Sequence, residues 1–328
     1  MLVLKLHEVK EAISMGDAVE AIQGAFMTLS QGSAVVPVRH QIPVSEQNTT
    51  LSMPAYLKDK GQLALKVISV FPTNQEKNLP VVLGFITYMD SATGQLLAIM
   101  DGAYLTAVRT GAAGGVACRW LSREDSKAVA IIGSGAQART QLWAAKTVRP
   151  LKEAYIYDIS DAAAQNFKEW TEKTLPDISA TVMPSADEAV ERSDIVIAAT
   201  TSSKPVFDAK ALKPATHVNG VGAFKPTMQE IPEEVILKAD KVVVDSVEAV
   251  MEEAGDLIIP IQKGTFSQDQ IYGEIGEVAL GNKPGRENND DLTYFKTVGV
   301  AAQDAAIASL VYQKAQEKGL GQEIDISQ

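Results

Sequence analysis

The sequence predicts an α/β fold, a doubly wound parallel sheet inserted in a separate α+β domain. Three observations predict it. At 328 residues the chain exceeds what a single hydrophobic core usually organises. Between residues 127 and 246, short β-prone apolar runs (KAVAIIG, EAYIYD, DIVIAAT, THVNGVG, DKVVVDS) alternate with helix-like segments such as AAAQNFKEWTEKTL. Runs apolar on both sides of the pleat suit strands covered on both faces, and strand–helix alternation is the pattern of a parallel sheet. The first hundred residues lack that alternation, and their β-prone runs follow one another through turns.

In chain order, a helical pattern over 15–29 precedes four strand-like runs: VVPVRHQIPV, LALKVISVF, LGFITYMD and QLLAIMDG. TGAAGGVACRWLS (110–122) is a helix leading into the parallel sheet. GNKPGRENNDD (281–291) reads as a surface loop, for which mobility is the default expectation. GVAAQDAAIASLVYQKAQEKG is the last long helix; no strand is expected after it, so it should pack back on the N-terminal domain. The expected boundaries are 1–115 plus 305–328 for the α+β domain and 116–304 for the sheet domain.

Composition narrows the function classes. A net charge of -11 disfavours nucleic acid, whose phosphates call for a basic face. Cys118 is the only cysteine, so no intramolecular disulfide can form; beside Trp120 it reads as core packing. The first residues, MLVLKLHEVKEAIS, lack the apolar run of a signal peptide, and no segment has the ~20 uninterrupted apolar residues of a membrane span. The expectation is a cytoplasmic protein with no membrane or nucleic-acid partner.

The strongest motif is AVAIIGSGAQART, where Gly133, Gly135 and Ala138 form G-x-G-x-x-A between an apolar strand and a helix. In that setting Gly133 permits the tight turn, Gly135 lets backbone approach a pyrophosphate, and Ala138 keeps helix and strand close. The helix N-terminus presents free N–H groups and a positive dipole end to the phosphates. The next strand ends in Asp158, placed to accept from an adenosine ribose hydroxyl and to repel a 2′-phosphate, with no arginine at 159 or 160. NAD(H) is therefore favoured, with NADP(H) the alternative. Loops after the other parallel strands should face the same crevice, which brings in Thr200 and the GVGAF stretch at 220–224. Glu230 and the acids that follow are expected to begin a solvated helix.

A hydride enzyme also needs groups that hold and polarise its substrate. Arg39, Lys66 and Arg109 each lie in an otherwise apolar segment, where an unpaired charge would be costly. Together they point to a carboxylate pocket, since guanidinium pairs carboxylate bidentately. His40 and His217 lack metal-ligand spacing and read as structural; no metal is expected, and no G-x-S-x-G, Walker or zinc pattern is present.

The ordered set VR (38–39), MPAY (53–56), LALK (63–66), MDGAYLTAVRTGAA (100–113), IIGSGAQA (131–138), VNGVGA (218–223) and FKTVGVAAQD (295–304) resembles the ornithine cyclodeaminase/mu-crystallin family over nearly the whole chain. The resemblance implies a homodimer, with a Rossmann domain between the parts of a substrate-binding and dimerisation domain. Its members act on small amino acids and their imines with a nicotinamide cofactor. It also implies substrate contacts at Arg39, Lys66, Arg109 and Val298, with Lys66 as the catalytic group. Cofactor contacts are implied at Arg109, Gly133, Ser134, Gly135, Ala136, Gln137, Asp158, Thr200, Val221, Gly222, Ala223 and Thr297.

Three departures bear on the reaction. Phe224 stands where cyclodeaminases carry an aspartate that handles the departing ammonia, Met228 where they carry a lysine, and Val81 where they carry a threonine. Phenylalanine exchanges no protons and instead offers an apolar wall to a substrate ring. The expected reaction is therefore NAD(P)H-dependent reduction of a cyclic α-imino acid, Δ1-pyrroline-2-carboxylate or Δ1-piperideine-2-carboxylate, to proline or pipecolate. Ornithine cyclodeamination is the alternative, and an alanine or opine-type dehydrogenase the next.

Overall fold

Apolar residues alternating along the runs 49–57, 62–70, 82–90 and 96–101, with Lys66 the buried charged exception, build the first sheet of the computed structural model, which describes residues 1–325. The chain divides into two units, 1–109 with the segment from 300 onward, and 110–299. These divisions lie a few residues before the expected ones, within a helix at 109/110 and just before another at 299/300.

The first unit opens with β1 (Leu2–Leu4), α1 (Leu6–Ala12) and α2 (Met15–Ser30), the last capped by the Ser14 hydroxyl accepting from the Asp17 N–H. Short strands β2 (Ala34–Val35) and β3 (His40–Pro43) lead to β4 (Thr49–Leu57), β5 (Gln62–Val70), β6 (Val82–Asp90) and β7 (Leu96–Asp101). Residues 36–39 are not strand, so the expected run 35–44 is two short pieces; Pro37, lacking an N–H, lies in the break. Strands β4 to β7 pair antiparallel in sequence, and β1 lies parallel to β7.

The pleat gives this sheet two different faces. Met53, Ala55, Leu57, Ala64, Lys66, Ile68, Ile86 and Tyr88 are buried on one. On the other, Ile42, Thr50, Ser69 and Leu83 form one cross-strand row, with Phe85 two residues further along β6. Ile42, Leu83 and Phe85 are 60%, 47% and 42% exposed, so this face carries uncovered apolar surface.

Helix α3 (Gly102–Leu121) carries the chain into the second unit. There, β8 (Ala128–Ile132), α4 (Ala136–Val148), β9 (Glu153–Tyr157), α5 (Asp161–Thr174), β10 (Ser179–Val182), α6 (Ala186–Glu191), β11 (Ile195–Ala198) and β12 (His217–Gly220) continue the alternation. They are followed by α7 (Glu233–Lys238), β13 (Lys241–Val244), α8 (Val247–Glu253), α9 (Gly255–Lys263), β14 (Gly273–Glu274), α10 (Ile275–Ala279) and β15 (Thr293–Lys296). All eight strands are parallel, in the order β10-β9-β8-β11-β12-β15-β13-β14. Successive residues of a strand serve opposite layers. Val129 and Ile131 pack with Leu142 and Phe167, whereas Ala130 and Ile132 pack with Val190 and Val235. This is the doubly wound Rossmann-type sheet.

The loop at 281–291 is anchored, contrary to the default expectation of mobility. Arg286 donates to the carbonyls of Leu121 and Asp291, each at 2.7 Å, and its own N–H reaches the Trp120 carbonyl at 2.8 Å. The chain then returns to the first unit through α11 (Ala301–Lys318), which packs on α2, β4 and β5 as expected of the last helix. A strand does follow it: β16 (Gln322–Glu323) pairs antiparallel with β1, closing an edge that two residues were too few to announce.

Candidate active site

In the second unit the G-x-G-x-x-A segment leaves β8 as a tight turn. Gly133 has φ of +86°, and its N–H donates to the Tyr157 carbonyl at 2.9 Å. A Cβ there would stand 2.8 Å from the Thr200 methyl and 2.9 Å from the Ala199 carbonyl, so both backbone and packing require glycine. Gly135 is the N-cap of α4, has no side-chain cap, and nothing lies within 4 Å of the Cβ it lacks. The first N–H groups of a 13-residue helix thus face open space. Ala136 and Gln137 form its first turn, and Ala138 is fully buried.

A cavity of about 700 Å³ is lined by Gly133, Ser134, Gly135, Asp158, Ile159 and Thr200 among others. The Asp158 carboxylate accepts from the Ser134 N–H (2.8 Å) and hydroxyl (2.7 Å) and from the Ser160 N–H (2.9 Å). Burial pushes this carboxyl up, but the Ser160 and Ser134 donors outweigh it and hold the group below its ordinary value. It stays ionised, with a remaining lone pair for a ribose hydroxyl, and Ile159, 96% exposed, brings no positive charge. An open helix N-terminus, a glycine turn and an ionised acid at the end of β9 fit a dinucleotide.

The expectation for Glu230 is overturned. Its side chain is fully buried, and its carboxylate accepts from the Thr200 N–H (2.7 Å), the Thr200 hydroxyl (3.0 Å), the Gly222 N–H and the Ala223 N–H (3.1 Å). Only the acids at 233 and 234 start the following helix. Burial raises the Glu230 carboxyl from its ordinary value, and Lys296 works against that rise. Val221 donates its N–H to the Ala198 carbonyl at 2.9 Å, while Phe224, next along the loop, is 40% exposed. Thr297, Val298 and Gly299 converge on a second buried acid, Asp245, at 2.6, 3.0 and 2.8 Å.

His217 is structural, as expected. Its ring nitrogens pair with Thr293 Oγ1 (2.9 Å) and Asn219 Oδ1 (2.8 Å), and burial pulls its pKa to about 3, leaving it neutral. Cys118 is buried, its thiol pushed up to about 12. Among the described residues no His, Cys, Asp or Glu group could hold a metal.

In the first unit Lys66 points from β5 to the buried face. Its Nζ lies 2.7 Å from Asp304 Oδ2, and Arg109 Nε lies 3.2 Å from Asp304 Oδ1. Arg109 Nη1 also donates to Gln303 Oε1 at 2.5 Å. Lys66 and Asp304 are each 1% exposed and Arg109 6%. Burial pulls the Lys66 pKa down to about 7; Asp304 resists, while the charges of Arg109 and Arg39 push the same way as burial. Arg39 is half-buried. Two buried cations against one carboxylate leave this cluster one negative charge short, the condition for binding an anion.

Sequence reasoning missed Asp304 and Gln303 as site residues, along with Glu230 and Asp245. A signal for the first existed: Asp304 is the only charged residue between Lys296 and Lys314, in the first turn of an alanine-rich helix. Glu230 carried no such signal, because two more acids follow within four residues.

A family model described as "Ornithine cyclodeaminase/mu-crystallin family" matches residues 1–319. The chain is 38% identical to a Delta(1)-pyrroline-2-carboxylate reductase of Bacillus cereus, over 99% of this chain and 100% of that protein. Among solved structures, Thermococcus litoralis Delta(1)-pyrroline-2-carboxylate reductase in complex with NADH and L-proline is similar at a TM-score of 0.94 and 44% identity, covering 99% of this chain and 100% of that one. An archaeal alanine dehydrogenase dimer with bound NAD is similar at a TM-score of 0.92 and 37% identity, covering 99% of both chains.

Proposed function

This chain belongs to the ornithine cyclodeaminase/mu-crystallin family, and from that premise we propose that it is an NAD(H)-dependent oxidoreductase. It reduces the C=N bond of a small cyclic α-imino acid, Δ1-pyrroline-2-carboxylate or its six-membered homologue, to proline or pipecolate. The observation that carries the reading is the Lys66–Asp304–Arg109 cluster, buried and short by one negative charge, which a substrate carboxylate supplies. Relatives 37–38% identical named as reductases of this imine, and the similar structure holding NADH and L-proline, support the choice of substrate.

Arg109, aided by Arg39, holds the carboxylate, and the pairing orients the imine carbon. Lys66 donates a proton to the imine nitrogen; a pKa near the working pH suits a donor that must be reloaded each turnover. A nicotinamide held there would supply the hydride to the imine carbon, so that one C=N bond would become CH–NH at the cost of one NADH and one proton. Gly133 to Gln137 cradle the pyrophosphate, Asp158 takes the adenosine ribose and thereby favours NAD(H), and Thr200, Val221, Gly222, Ala223 and Thr297 back the nicotinamide half. Phe224 and Val298 are apolar side chains at positions that the family resemblance assigns to substrate contact. With phenylalanine at 224 the loop has no acid to handle departing ammonia, which favours reduction over cyclodeamination.

The protein acts as a homodimer, which the uncovered apolar sheet face with Ile42, Leu83 and Phe85 supports, and its working compartment is the cytoplasm. Among the described residues no helix is long and apolar enough to cross a membrane.

Purified protein with NADH should oxidise the cofactor on addition of Δ1-pyrroline-2-carboxylate, with proline as product by mass spectrometry. NADH oxidation confined to pyruvate plus ammonium would make it an alanine dehydrogenase. Ammonia release from ornithine without imine reduction would make it a cyclodeaminase.

A further inference from the structure

The loops after β11 and β12 leave neighbouring parallel strands, but the sheet holds neither of them beyond Val221. Farther out two backbone bonds join them, the Gln229 N–H to the Ser202 carbonyl at 3.1 Å and the Val206 N–H to the Glu230 carbonyl at 3.0 Å; next to the strand ends the bridge is one side chain. We propose that Glu230 is a positioning residue for the cofactor: its carboxylate fixes the Thr200 loop against the 221–223 loop, and so shapes the wall that the nicotinamide half of the dinucleotide rests on. This rests on the NAD(H)-dependent reading above.

The geometry is specific to an ionised carboxylate. Four donors, three of them backbone N–H groups, converge on its two oxygens, two on each. A carboxamide would turn a donor of its own toward N–H groups that cannot accept. The loops also touch directly. A Cβ at Gly222 would collide with the Thr200 backbone and reach to 2.7 Å from Glu230 Oε2, so nothing larger than glycine leaves the bridge intact.

Glu230 is held in turn from beneath. Asp256 Oδ1 accepts from the Glu230 and Ile231 N–H groups at 2.8 and 3.0 Å, and its other oxygen pairs with Lys296 Nζ at 2.8 Å, both side chains fully buried. A buried chain of charges running from the end of β15 to two loops at the strand ends exceeds what closing a surface turn requires. Glu230, Asp256 and Lys296 bond to one another and to the loops at the strand ends, so altering them should change cofactor binding and leave recognition of the imino acid alone.

The test is equilibrium titration of NADH fluorescence on Glu230→Gln, Glu230→Asp and wild-type protein, with circular dichroism and Tm for each. Glu230→Gln should bind NADH about 10- to 100-fold more weakly. The Michaelis constant for Δ1-pyrroline-2-carboxylate at saturating NADH should stay within about threefold of wild type, and Glu230→Asp should recover part of the NADH affinity. A folded Glu230→Gln that binds NADH like wild type overturns the proposal, as does a parallel weakening of both ligands. Should Glu230→Gln not fold, Gly222→Ala decides: it keeps the carboxylate but wedges the loops apart, and unchanged NADH affinity there also overturns the proposal. Wild-type protein that binds no NADH at all would instead sink the oxidoreductase reading, so the two failures are distinguishable.

Discussion

A lysine with 1% of its surface exposed in the middle of a β-strand would be destabilising unless its charge were matched, and Asp304 matches it only in part, because Arg109 draws on the same carboxylate. Lys66→Ala should lower kcat/KM for the imino acid by ~100-fold or more, and Arg109→Ala should chiefly raise KM. The Lys66 pKa of about 7 sets a pH limb for the proposed role: the donor would be the ammonium form, so kcat/KM should fall as pH rises through about 7. Asp304→Asn removes the partner that favours that form and should move the limb to lower pH by ~1 unit or more. Stability runs the other way. The folded value lies below the ordinary 10.5, so the unfolded chain binds more protons between about 7 and 10.5, and this group's stability contribution is lost as pH falls through that window. Opposite pH trends in rate and in Tm over that range would verify both; a rate independent of pH from 6 to 9 would remove Lys66 as the donor.

Among the elements, the turn from β8 into α4 was legible because its chemistry is local: two glycines and an alanine at fixed spacing after an apolar run. The turn after β9 was legible for the same reason, and it carries a prediction. Asp158→Ser with Ile159→Arg removes the acid and sets a guanidinium beside the ribose. The preference between NADPH and NADH should then shift toward NADPH by at least ~10-fold, equivalent to about 1.4 kcal/mol, measured as the ratio of kcat/KM values. Strand β15 was not legible as a sheet member. It is four residues long, arrives after three helices, and inserts between β12 and β13, a pairing no neighbouring residue announces. Glu230 was misread for a related reason: its partners at 200, 222 and 223 are 30, 8 and 7 residues away, and an acid ahead of further acids looks like a helix start until those partners are in place.

For the molecule as a whole, the sheet of the first unit buries Lys66 on one face and, among the described residues, leaves Ile42, Leu83 and Phe85 exposed on the other. Ile42→Glu combined with Phe85→Glu should convert the proposed dimer to monomer in sedimentation equilibrium while leaving the far-UV circular dichroism unchanged. Wild-type protein that sediments as a monomer would refute the assignment of that face. Periodicity and spacing were sufficient to specify the parallel sheet, the dinucleotide turn with its acid, and three suspicious cations, because each depends on residues within a few positions of one another. Long-range pairing was needed to find Asp304 between two of those cations, Glu230 bridging the Thr200 and 221–223 loops, β15 in the middle of the parallel sheet and β16 at the edge of the other sheet. A buried charge acquires its role from whichever partner the fold brings within about 3 Å, and that partner leaves no mark on the residues next to it in the chain.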